Sequence, residues 1–153
     1  MARVLITGMS GAGKTTLLEA LQSRGHHGVD TDHDGWTLPD GTWDEPRMDA
    51  LLARSDRIVV TGCVENQGRF YDRFAHVVLL SAPLEVLLHR VSTRATNPYG
   101  RREAEREEIR RHVAEVEPLL RRGATLELDG RDGVEALADR VEQLLLEENP
   151  GTR

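Results

Sequence analysis

Residues 5 to 21 read LITGMSGAGKTTLLEAL, and the spacing of Gly8, Gly13, Lys14 and Thr15 fits the pattern G-x-x-x-x-G-K-[ST]. Each residue type in that pattern has a task. The glycines let the backbone curl so that consecutive N–H groups point inward around a phosphate. The lysine reaches the outer phosphates of a nucleoside triphosphate, and the threonine hydroxyl ligates Mg²⁺. A helix opening near Gly13 aims its positive end at the same anion. Gly8, Met9, Ser10, Gly11, Ala12, Gly13, Lys14, Thr15 and Thr16 therefore form the expected nucleotide-binding set. A chance glycine turn would not need an apolar strand before it and a helix-like stretch after it.

Two further groups of residues can act on a bound phosphate. The segment VDTDHD places Asp30, Asp32 and Asp34 where a short apolar run ends. A carboxylate at a strand's C-terminal edge, facing the glycine loop, can orient a hydroxyl or take its proton. Asp32 is the expected residue for that task, while Asp30 and Asp34 read equally well as solvated or helix-capping aspartates. The segment LLHRVSTR sets Arg90 and Arg94 four residues apart on one helix face. Arg101 and Arg102 follow the break at NPYG, and Arg106, Arg110 and Arg111 read as surface partners of nearby glutamates. Mobile arginines suit phosphoryl transfer, which needs charge neutralised while water is excluded.

The elements that must position these groups alternate. β-rich runs at Arg3–Thr7, Gly28–Thr31, Arg57–Gly62, His76–Ser81 and Thr125–Leu128 are interleaved with helical patterns. Those patterns cover Thr15–Ser23, Asp44–Arg54, Leu84–Thr93, Glu103–Arg121 and Val134–Leu146. Strands alternating with crossover helices predict a parallel sheet covered on both faces, hence an α/β fold of three αβα layers. DHDGWTLPDGTW at 32–43 and RATNPYGRREAEREE at 94–108 interrupt the pattern, as acceptor and lid segments do on such scaffolds.

The 153 residues suit one domain, and 30% charged with 39% hydrophobic is the balance of a soluble chain. A formal charge of −6 argues against binding nucleic acid by broad phosphate neutralisation. The single cysteine, Cys63, precludes an internal disulfide and fits a reducing cytoplasm; at a strand end it reads as a buried small residue. No apolar run approaches the roughly 18 residues of a membrane span, and the N-terminus lacks the layout of a signal peptide. The six histidines show no ligand spacing. A cytoplasmic protein is expected, as a monomer or small homo-oligomer with a small-molecule partner.

With these motifs the chain resembles the small-molecule kinases of the P-loop class, the shikimate, gluconate and adenylate kinases. The resemblance runs over nearly the whole chain, with the glycine loop its most specific part. It implies a five-stranded parallel sheet, an acceptor-binding insertion at about 32–54 and a short lid at about 94–108 within one domain, 1–153. It also implies ATP and Mg²⁺ as cofactors. By position, Asp32 takes the acceptor hydroxyl and the water shell of the metal, Arg90 the adenine and Arg94 the transferring phosphoryl group. Lys14, Asp32 and Arg94 are thus the expected catalytic residues, and Thr15 with Asp32 the expected metal site. The third β run ends Thr61-Gly62-Cys63 without the carboxylate that motor ATPases and GTPase switches place there; the nearest acid is Glu65. No Asn-Lys-x-Asp guanine signature occurs, which favours ATP as donor.

All six aromatics lie between residues 36 and 99, in the segments that wall the acceptor pocket of such kinases. Trp36 and Trp43 flank a Pro-Asp-Gly turn that would bring the indoles together, either as an acceptor clamp or as the anchor of a short loop. Trp36, Asn66, Gln67, Arg69 and Arg101 are the acceptor-site candidates. The insertion is short, so the acceptor should be small, and TGCVENQG lacks the glycine run of shikimate kinases. The expected activity is ATP-dependent transfer to a hydroxyl of a small metabolite. Its rivals are a nucleoside or nucleoside-monophosphate kinase, for which Arg69 and Arg73 are the only extra cations, and an ATP-binding regulator that transfers nothing.

Overall fold

A computed structural model describes residues 2–93 and 102–147. Five strands form one sheet: β1 (Arg3–Thr7), β2 (Gly28–Asp30), β3 (Ile58–Thr61), β4 (His76–Ser81) and β5 (Leu126–Asp129). They lie in the order β2-β3-β1-β4-β5, and every pairing is parallel. Parallel neighbours need crossovers, supplied by α1 (Lys14–Ser23), α2 (Glu45–Arg54), α3 (Leu84–Thr93), α4 (Glu103–Glu115), α5 (Glu117–Gly123) and α6 (Val134–Leu146).

The central strands carry unbroken apolar runs, Val4–Ile6, Ile58–Val60 and Val77–Leu80, because helices cover both sides. In β1, Val4 and Ile6 join a core with Leu17, Leu21, Val141 and Leu145 of α1 and α6, whereas Leu5 joins the core under α2 with Met48, Leu51 and Leu52. Neither face touches water, so a period-two alternation has nothing to gain there. This is the expected three-layer αβα arrangement.

The helical pattern over Glu103–Arg121 is broken in two. Pro118 has no N–H to give and sits in the first turn of α5, so a single helix cannot run through it. The backbone N–H of Val116 closes α4 on the His112 carbonyl at 2.7 Å, and the carbonyl of Val116 then starts α5 by accepting from Leu119 and Leu120. Between β3 and β4 the chain makes a 3₁₀ helix, Gln67–Arg73.

Candidate active site

At the C-terminal end of β1 the chain turns at Gly8, whose φ is 156°. A Cβ there would lie 2.3 Å from the carbonyl oxygen of Leu80 in β4, so only glycine can leave the sheet at this point. Gly13, left-handed at φ 105°, delivers the chain into α1. The first N–H groups of that helix have no carbonyl before them and face the loop, making the cradle an anion requires. The Lys14 ammonium bridges the mouth, donating to the carbonyls of Gly8 at 2.5 Å and Met9 at 3.3 Å.

The hydroxyl of Thr15 donates to the Asp30 carboxylate, Oγ1 to Oδ2, at 3.4 Å. The sequence pairs Thr15 with Asp32 at the metal; the aspartate that Thr15 touches is Asp30, the last residue of β2. The other Asp30 oxygen accepts the backbone N–H of Asp32 at 3.0 Å, a turn that carries Asp32 past Thr15. Asp32 instead lines a cavity of about 320 Å³ together with Gly8, Ser10 and Lys14 of the loop. Thr15 and Asp30 offer oxygen donors only, which suits a hard cation such as Mg²⁺.

The same cavity is bounded by Cys63 and, from α4, by Glu108, Ile109 and His112. Burial pushes the Cys63 thiol up, and the attraction of Lys14 for a thiolate opposes this only in part. The thiol therefore stays protonated at neutral pH and is no nucleophile. Glu108 and His112 escaped the sequence reading. Their spacing of four residues places them on one helix face, but the charge run EAEREEIRRH makes every face of that helix look solvated.

Arg90 lies beside the glycine loop. Its Nη1 donates to the carbonyls of Gly11 at 3.1 Å and Ala12 at 3.3 Å, and its Nη2 to that of Gly130 at 2.7 Å. One side chain thus ties α3 to the glycine loop and to the turn after β5. A second cavity, about 250 Å³, opens beside it between Gly13, Thr16, Asp132 and Leu137.

The acceptor candidates fare differently. Trp36 does not face the cavity: it is buried beside Trp43 and Met48, and the Arg47 guanidinium covers its ring at 3.9 Å. Trp43 is fully buried, edge-on to Phe70 with ring centres 5.7 Å apart. The turn between the tryptophans does form, with Gly41 N–H donating to Leu38 at 2.9 Å, but it closes a core plug and not a clamp. Asn66 is spent on the backbone of Trp43, accepting from its N–H at 2.9 Å and donating to its carbonyl at 3.1 Å. Gln67 is buried between Thr7 and Tyr71. Arg69 is exposed and pairs with Glu45 at 3.3 Å, and Arg73 pairs with Asp49 at 2.8 Å. None of these six lines the cavity at Asp32. Arg94 and Arg101 lie outside the described residues.

A family model described as an AAA domain matches residues 4–111, from β1 into α4. The chain belongs to the AAA-domain family. Among curated proteins, none matches this sequence. Among solved structures, this AAA-domain chain is similar to a shikimate kinase from Acinetobacter baumannii in complex with shikimate, with 26% identity and a TM-score of 0.71; the match covers 95% of this chain and 93% of that one. A shikimate kinase from Bacteroides thetaiotaomicron matches with 21% identity and a TM-score of 0.70, over 94% and 97% of the two chains. A sugar kinase from Janibacter sp. HTCC2649 matches with 21% identity and a TM-score of 0.61, over 92% of each. The fold of this AAA-domain chain is that of the P-loop small-molecule kinases, and the likeness supports a P-loop kinase of small metabolites.

Proposed function

We propose that the chain is an ATP-dependent phosphotransferase that moves the γ-phosphoryl group to a hydroxyl of a small metabolite. One kinase domain would do this, with 32–54 framing the acceptor and 94–108 acting as lid. The observation that carries the reading is that Lys14 and Asp32 line one cavity, so a phosphate on the glycine loop and a hydroxyl at Asp32 would meet there.

The loop N–H groups and Lys14 hold the β- and γ-phosphates. Thr15, with Asp30 behind it, holds Mg²⁺, and Arg90 borders the base. ATP with its metal supplies the phosphoryl group and part of the charge neutralisation when bound. Asp32 orients the acceptor hydroxyl and takes its proton as the oxygen attacks. Arg94, by its resemblance to lid arginines, supplies further positive charge.

A nucleoside-monophosphate acceptor is less well served. Arg69 is turned to solvent and to Glu45. Arg73 has its carbonyl 3.5 Å from Arg3 Nη1, at the N-terminal edge of β1 and thus at the opposite end of the sheet from the loop.

ADP release from Mg-ATP over a panel of sugars, cyclic alcohols, nucleosides and nucleoside monophosphates tests the proposal. An acceptor-dependent rate that the Lys14→Ala protein loses is the expected result. ATP binding with no acceptor-dependent release would replace the kinase by a nucleotide-sensing regulator.

A further inference from the structure

We infer that the acceptor is a small polyhydroxyl compound bearing no anionic group, neutral or amine-bearing, and that Glu108 selects it. The inference rests on the kinase reading above and names the substrate class of that same site.

Two carboxylates reach the cavity from separate elements, Asp32 from the turn after β2 and Glu108 from α4. Glu108 differs from its neighbours on the helix. Glu103 and Glu107 both give their carboxylates to Arg110, the first at 3.0 Å, and Glu105 accepts the backbone N–H of Arg102. Among the described residues, no hydrogen bond or ion pair engages the side chain of Asp32 or of Glu108. Neither is a free-standing acidic patch, because both border the space over the glycine loop.

An ionised carboxylate only accepts hydrogen bonds, so these two call for O–H or N–H donors on whatever lies between them. Hydroxyls and ammonium groups supply such donors; a carboxylate or phosphate on the acceptor would supply none and would be repelled. Among the described lining residues the one permanent cation is Lys14, which is engaged with the loop carbonyls and is needed for the nucleotide. Among the described residues, Arg69 and Arg73, the arginines weighed for an anionic acceptor, are paired elsewhere. His112, one turn beyond Glu108, adds a further hydrogen-bonding group, and Met9 and Ile109 give an apolar wall for a C–H face.

The test is steady-state phosphorylation of matched acceptors. Hexoses, pentoses and cyclitols are each offered as the neutral polyol, the amine-bearing analogue, the carboxylated analogue and the monophosphate. The wild-type protein is expected to favour a neutral or amine-bearing member by about tenfold or more in kcat/KM, the effect of one charge-assisted hydrogen bond. Glu108→Gln should raise the KM for that acceptor by about tenfold while leaving the KM for ATP in place. Glu108→Arg should shift preference toward the carboxylated analogue, with thermal melting confirming that both variants fold. Preference of the wild type for a carboxylated or phosphorylated member, or an acceptor KM unmoved by Glu108→Gln, overturns the inference; acceptor-dependent ADP release would then still support the kinase. No acceptor-dependent release from any member overturns both.

Discussion

Two aspartates two residues apart have different neighbours, and this separates their tasks. Asp30 ends β2 and touches Thr15, whereas Asp32 borders the cavity. Asp30→Asn should therefore raise the Mg²⁺ concentration for half-maximal turnover by about 10–100-fold, the usual effect of removing a partner behind a metal ligand, with little change in acceptor KM. Asp32→Asn should instead depress kcat while leaving ATP binding intact, as followed by nucleotide titration. A third aspartate gives a pH prediction. Arg131 beside Asp129 holds that carboxyl down to about 2, through its guanidinium and its backbone N–H. Since the folded value lies below the unfolded one, the contact favours the fold above the ordinary carboxylate range, and the benefit fades as pH falls toward 2. The Asp129 carboxyl resonance should titrate near pH 2 in the native protein and return to the ordinary range in Arg131→Ala.

At the level of elements, the site depends on ties that cross between them. Arg90 joins α3, the glycine loop and the turn after β5 through three carbonyls. Arg90→Ala should lower stability by about 1.5–3 kcal/mol, as loss of hydrogen bonds from a charged donor does. It should also weaken nucleotide binding, measured by calorimetry, because the loop loses a support. Asn66 is a comparable tie between the 3₁₀ helix and the turn carrying Trp43. Asn66→Ala should cost about 1–3 kcal/mol through the stranded Trp43 backbone groups. An acceptor contact would show up in acceptor KM instead, so melting and kinetics together distinguish the two roles. The start of α4 at Glu103, and its end before Pro118, set which of its side chains meet the loop.

On the scale of the whole molecule, a fully parallel sheet gathers the C-terminal ends of β1 and β2 at one edge and leaves Arg3 and Arg73 at the other. Trp43 fills the core between the sheet and α2, so Trp43→Ala should cost about 3–5 kcal/mol in denaturant unfolding while leaving the glycine loop itself in place. The sequence by itself determined the glycine loop, the alternation of strands and helices, and the αβα class. Those signals are local: a run of neighbours has to curl around an anion, and strands covered on both faces have to be apolar throughout. Only the tertiary structure decided which aspartate meets Thr15, that Trp36, Asn66 and Gln67 pack away from the cavity, and that Glu108 and His112 border the same cavity as Asp32. A side chain's partner across a crossover depends on sheet order and on how a helix is rotated about its axis. In a helix charged on every face, spacing along the chain does not specify that rotation; the burial of Ile109 against Leu88 and Val91 does.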